Sequence, residues 1–344
     1  MSLTSNIGLG PHIVHQQDTN NLIHNLLFTH TTGRSQSCLF GELTGFEAAE
    51  HSIRGLFRQF CYCPNGMLPV PEREIGSAQW RKMCHVPLTR GRIFTRLVVL
   101  DSLFSTHTDK GYYIKQHMTD AIWEACKDAK GGHSDDVLAT KASNYILWTI
   151  AHPNAPSPVD TTVIQQIEDL LYGRFPWVEK TGDHKQTELS LMTKYLHWLV
   201  EEVRPNGTIG FPIYDSLIVT ILPKVYKYIL GRDLKSNYPN ATKPILQRPY
   251  ADYVRALWKI VDTLMKAPNG NVWNHPDMTP FHICDLFLWQ LGKVYDMWFN
   301  PRYKGKVDYK RLWMLVTQDE FDTMLRTGQI ISRRDMLEYL AKKI

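Results

Sequence analysis

The sequence predicts a mainly α-helical, two-lobed protein with an added N-terminal region. Three observations predict it. From residue 91 onward, apolar residues recur every three or four positions in one stretch after another. No alternating strand pattern persists beyond a few residues. The run from His152 through Pro153, Pro156 and Pro158 reads as a linker between two blocks of helices, with a cleft expected between the lobes.

The elements follow in order. Residues 1–90 form an N-terminal extension that is loop-rich with some helix; Ile53, Leu56, Phe57 and Phe60 have helical spacing within Glu47–Cys61, and prolines and glycines punctuate 62–90. Residues 91–300 form the main helical region. Arg92–Phe104 carries Ile93, Leu97, Leu100 and Phe104, then breaks at Ser105, Thr106 and His107. A helix over about 109–127 places Ile114, Met118, Ile122 and Trp123 on one side, and another covers about 134–152. After the linker at 152–158, Asp160 is placed to start a helix whose stripe is Val163, Ile164, Ile167, Leu170 and Leu171. Further helices are expected at about 187–203, 215–230, 250–265 and 279–298. Residues 301–344 make a basic, helical tail.

Composition narrows the class. A chain of 344 residues can bury one large core or two packed lobes. Ten Trp and sixteen Tyr are many, and aromatics both fill cores and stack on bases. The net charge of +5 permits nucleic-acid binding without the strong bias of a histone. The six cysteines are scattered, which predicts reduced thiols rather than a disulfide framework. No leader-like start and no apolar run of about 18 residues is read. The expectation is a soluble intracellular monomer, away from membranes: cytoplasmic if bacterial, nuclear if eukaryotic.

The informative stretch is Thr193, Lys194 and Tyr195 on an apolar helix, a loop with Pro205, Asn206, Gly207 and Gly210, then Phe211, Pro212, Ile213, Tyr214 and Asp215. Lys194 and Asp215 are 21 residues apart on consecutive helices, and a short connection brings such helix ends together. Read from spacing alone, Lys194 is first of all a lysine snorkelling from an apolar face, and Asp215 reads as a plain helix N-cap.

This pattern resembles the helix-hairpin-helix DNA glycosylases, in particular a divergent 8-oxoguanine-type branch. In that family a Thr-Lys pair opens the second hairpin helix, and a Pro-x-x-Asp segment some twenty residues on delivers the catalytic aspartate. The resemblance implies Lys194 and Asp215 as catalytic residues, double-stranded DNA as partner and a flipped base as substrate, with Tyr214 beside it. The Leu100–Thr106 stretch looks like the helix and turn that push into DNA, which implicates Ser105, Thr106 and His107; a helix-ending turn is the plainer reading. Phe281–Trp289 resembles the late helix that closes the base pocket, with Asp285 and Trp289 at i and i+4; a core tryptophan with a buried carboxylate reads equally well. Where the family carries a glycine-rich hairpin this chain has Lys185–Met192. The four-cysteine iron–sulfur pattern of one branch is absent, so no cofactor is implied.

The chemistry needs this pair. Breaking an N-glycosidic bond builds positive charge on the sugar, which a carboxylate stabilises. An amine near C1′ can attack and form a Schiff base, followed by strand elimination. The target base must first leave the stack. The expected activity is therefore excision of a damaged or modified base, a bulky hypermodified base of phage DNA being one candidate, with lyase action. The alternatives are a DNA hypermodification enzyme on the same fold and a non-catalytic DNA-binding module. Two weaker signals remain. Cys61, Cys63, Cys84 and His85 invite a zinc reading, but their spacing departs from the usual ligand pattern. Lys304 and Lys306, among Tyr303, Tyr309 and Trp313, are either phosphate contacts or a solvated basic turn.

Overall fold

The structure, a computed structural model, describes residues 88–104, 112–153, 162–173, 189–243, 247–276 and 278–299, with short pieces at 16–17, 19–21, 23–24 and 326–327. These residues are mainly helical, as expected, and hold no strand, only an isolated antiparallel bridge between Lys127 and His133. Among them no helix is long and apolar enough to cross a membrane. The readings made for Glu47–Cys61, for Asn154–Pro158 with Asp160, and for the basic tail from Arg302 to Trp313 lie outside the described residues.

The chain divides into a central unit, Leu43–Tyr214, and a terminal unit, Met1–Glu42 with Asp215–Ile344. The division therefore falls between Tyr214 and Asp215, not at 152–158. The physical reason is visible in the central unit. It contains α1 (Arg90–Phe104), α2 (Tyr112–Ala125), α3 (Asp135–Ala151), α4 (Thr162–Tyr172) and α5 (Leu189–Val203). The helices on either side of the proline-rich run, α3 and α4, pack on each other and both on α5. A proline-rich stretch stops a helix but does not stop the next one from sharing its core.

Local signals start and stop these helices. Ser134 caps α3, its hydroxyl accepting from the Asp136 amide at 3.1 Å, and Asp135 and Asp136 place negative charge at the positive end. At the far end of α5, Arg204 takes a positive φ of 47° and Pro205 follows. A residue before proline is pushed out of helical geometry, so α5 stops there. Helix α5 is the centre of the unit: α1, α3 and α4 all pack on it, and every residue from Leu191 to Glu201 is buried. A helix buried all round belongs to a core. Each fully buried aliphatic side chain along it stabilises the fold by about 1.5–3 kcal/mol.

A buried ion pair joins three of these helices. Arg96 of α1 makes a two-pronged contact with Asp135 of α3, both bonds 2.8 Å long, and donates to the Tyr195 hydroxyl of α5 at 3.3 Å. Burial opposes the Arg96 charge, but Tyr195 and Asp135 outweigh it and the guanidinium's pKa is raised. Burial also pushes the Tyr195 hydroxyl up, which keeps it neutral.

The terminal unit contains α6 (Ser216–Leu230), the short α7 (Leu234–Asn237), α8 (Tyr250–Met265), a 3₁₀ turn (Gly270–Trp273) and α9 (Pro280–Phe299). Helix α6 buries Ile218, Ile221, Leu222, Val225, Tyr226 and Ile229, an uninterrupted stripe, and ends at Gly231, whose φ of 64° suits a left-handed cap. Both α8 and α9 pack on it. The α6–α9 approach is close: a β-carbon at Gly292 would lie 3.0 Å from the Leu217 carbonyl oxygen, so glycine is needed there. Asn20 ties the N-terminal segment to the same unit. Its amide donates to the carbonyls of Leu264 at 2.8 Å and Pro268 at 3.0 Å, and its oxygen accepts from the Trp273 indole at 2.9 Å.

Candidate active site

Helix α5 begins at Leu189, earlier than the resemblance implies, so Thr193 and Lys194 sit one turn inside the helix rather than opening it. Lys194 is only 2% exposed. The snorkelling alternative is thereby removed, because a snorkelling lysine keeps its ammonium in water.

Two hydrogen bonds lay the Phe211–Tyr214 segment along α5. The Thr193 hydroxyl accepts from the Tyr214 amide at 3.0 Å and donates to the Ser190 carbonyl at 3.1 Å. One turn on, His197 Nδ1 lies 2.7 Å from the Phe211 carbonyl oxygen. A carbonyl can only accept, so Nδ1 carries the proton in this contact. The His197 ring meets Trp198 edge-on at 5.2 Å. Residues 193 and 197 share a helix face, being four apart. Lys194 lies between them in sequence.

The loop between helix and segment is built from turn chemistry. Gly207 and Gly210 take φ values of 74° and 93°, and Thr208 donates its amide to the Pro205 carbonyl at 3.0 Å. Phe211 is fully buried and Pro212 is buried, while Tyr214 is half-buried. Burial pushes the Tyr214 phenol up to about 12, so at neutral pH it remains a hydrogen-bond donor.

Asp215 is half-buried and begins the terminal unit. Its carboxylate caps α6, accepting from the Leu217 amide at 2.8 Å, with the extended backbone of an N-cap residue (φ −116°, ψ 143°). The plain N-cap role expected for it is therefore present, and it does not exclude a chemical one.

Asp285 and Trp289 both lie on α9. Asp285 is buried, one turn after the equally buried His282. The neighbouring Cys284 thiol is pushed well up by burial and by the Asp285 charge, which makes it inert. Trp289 is half-buried and stands one turn before Gly292, the residue pressed against Leu217 near the start of α6. The α9 face implicated by sequence thus lies near the capped end of α6, with Asp285 one further turn away.

Ser105, Thr106, His107, Lys304 and Lys306 lie outside the described residues, as do Cys61, Cys63, Cys84 and His85. Among the described residues no group of three or more His, Cys, Asp or Glu side chains is gathered for a metal ion.

Two features escaped the sequence reading. His197 has a readable signal, since it falls four residues after Thr193 on the same face. The Arg96–Asp135–Tyr195 network has none, because it joins residues 39 and 99 positions apart. Comparison with family models, curated proteins and solved structures finds no match for this chain.

Proposed function

We propose that this chain is a DNA glycosylase with lyase capacity, acting on a damaged or modified base flipped out of double-stranded DNA. One observation carries the reading. The Thr193 hydroxyl holds the Tyr214 amide, so the Thr-Lys half and the Pro-x-x-Asp half of the motif are joined by a hydrogen bond, with Asp215 following as a helix cap. Neither half was required to meet the other by helix periodicity alone.

In this reading Asp215 supplies negative charge against the cation that develops at C1′. Lys194 supplies the amine. Its Nζ attacks C1′, the glycosidic C–N bond breaks, and the base leaves with the bonding pair and takes up a proton. Loss of the amine's protons and opening of the sugar give an iminium, from which the 3′ phosphate can be eliminated. The depth of Lys194 is in keeping with this role, because Schiff-base lysines are characteristically buried.

The test is release of free base from a panel of damaged and hypermodified duplexes, with borohydride trapping alongside. Asp215→Asn should slow release by about 10²–10³, the effect of losing one electrostatic contact worth about 2.7–4 kcal/mol. Lys194→Ala should abolish the trapped protein–DNA adduct. Release that ignores Asp215→Asn on an active duplex would sink the assignment. Tight duplex binding with no release on any member of the panel would favour a DNA-binding module without chemistry.

A further inference from the structure

The terminal unit contains a cavity that the proposed chemistry does not use. It lies at the C-terminal end of α6 and has a volume of about 310 Å³. Polar side chains on its wall are Gln16, Tyr226, Arg232, Asn237, Tyr238 and Lys259, above the apolar Ile229 and Leu230. Asp215 caps the opposite end of the same helix. Fifteen residues rising ~1.5 Å each separate the two ends by about 22 Å. A small molecule in this cavity is therefore remote from Asp215.

The charge of the wall is one-sided. Arg232 and Lys259 bring two positive charges, and no carboxylate lines the cavity among the described residues. Neither cation makes an ion pair within the described residues; the nearby Lys227 and Asp233 neutralise each other at 3.1 Å. The carbonyl end of α6 contributes the equivalent of about −0.5 charge, too little to offset two cations. Gln16 also engages one of those carbonyls, its amide donating to Ile229 at 3.3 Å.

The remaining groups are mostly donors. The Tyr226 hydroxyl accepts from the Asn237 amide at 3.4 Å, which leaves its proton to give. Burial raises both phenols, with each also shifted by its neighbours, so they stay protonated and able to donate. The Tyr226 and Tyr238 rings meet edge to face at 6.1 Å and add flat apolar surface.

We propose that this cavity binds a phosphate-bearing small molecule of mononucleotide size. A phosphate monoester carries about −1.5 to −2 charge at neutral pH, which matches two cations, whereas a carboxylate carries half of that. The guanidinium fork and the ammonium are both phosphate ligands. The volume lies at the small end of the roughly 300–1,000 Å³ range of ligand sites, which excludes a duplex but admits one nucleotide. The same phosphate can come from a free nucleotide or from the 5′ end of a DNA strand. The proposal stands independently of the glycosylase reading.

Calorimetric titration of the full chain distinguishes these cases. The probes are inorganic phosphate, the common 5′-mononucleotides, the matching nucleosides, and a short oligonucleotide with and without a 5′ phosphate. At least one mononucleotide should bind at one site per chain, at least tenfold more tightly than its nucleoside. Arg232→Gln with Lys259→Gln should weaken it at least tenfold. Both side chains are exposed, so the double variant should keep its circular dichroism spectrum; if it does not, each single variant is read instead. A 5′-phosphorylated oligonucleotide that competes, where its unphosphorylated form does not, identifies a strand end as the source. No binding of any phosphate-bearing probe at millimolar concentration overturns the proposal. So does equal binding of nucleotide and nucleoside, or binding unchanged by the substitutions.

Discussion

Replacing Asp135 with Asn is the most demanding test of the central unit. The carboxylate meets the Arg96 guanidinium through two 2.8 Å bonds, and the Arg96 side chain is 1% exposed against 9% for Asp135. Asparagine keeps the shape, but one prong of the fork then faces an amide donor instead of an acceptor. The guanidinium is left buried without its counter-charge. Breaking one partner of a buried pair costs about 3–5 kcal/mol. A further ~0.3–1 kcal/mol follows from removing negative charge in the first turn of α3. That is a large part of the ~5–15 kcal/mol that separates folded from unfolded proteins. For a domain of this size the melting temperature should fall by about 7–24 °C at 2–4 °C per kcal/mol. Thermal unfolding followed by circular dichroism reads the shift. The companion variant, Arg96→Met with Asp135→Leu, removes both charges together and should recover much of the loss, since a buried pair is often replaceable by apolar side chains. A fall below about 2 °C for Asp135→Asn, or a double variant no better than the single one, would refute the argument.

Three other outcomes are expected. Tyr214 ionises near 10 when unfolded and at about 12 in the folded chain, so between those values the unfolded chain sheds a proton that the folded chain keeps; its contribution is full below pH 10 and is lost as pH rises towards 12. Tyr214→Phe should therefore flatten the stability profile across that window, measured by urea unfolding at stepped pH, and an unchanged profile would contradict the burial described. Gly292→Val should cost about 1–3 kcal/mol by forcing α9 away from Leu217, and an unshifted urea midpoint would mean that the two helices are not so close. Duplex DNA affinity should fall with salt by about 0.9 in log K per log unit for each phosphate contacted, with a shallower slope after Lys304→Ala and Lys306→Ala; a slope near zero would exclude phosphate-driven docking.

Much of the helical frame was legible because amphipathic stripes and caps are local. Helix α8 has the expected limits, Tyr250–Met265, since Pro249 precedes it and its apolar positions repeat cleanly. The short α7 and the 3₁₀ turn at Gly270–Trp273 were not foreseen, as four residues are too few to show a period. The prolines at 152–158 signal a loop, but a loop does not reveal whether the helices it joins share a core. Asp215 marks the start of α6 plainly, as a carboxylate N-cap. The depth of Lys194 was hidden for another reason. Periodicity identifies the face of a helix that is buried, and it fails when neighbours cover every face. Asp135 was unreadable as a partner for Arg96 because tertiary pairing leaves no trace in spacing.

The enclosure of α5 has a kinetic consequence. Its backbone amides are shielded along three turns, so their hydrogen exchange can proceed only through openings that displace α1, α3 or α4. Lys194 lies on the same protected run, the whole residue being 2% exposed. An electrophile reaches a side chain buried to this degree only when its cover opens. Each ~1.4 kcal/mol of opening free energy lowers the reactive population tenfold. If Lys194 is the nucleophile proposed above, its reaction is gated by such an opening.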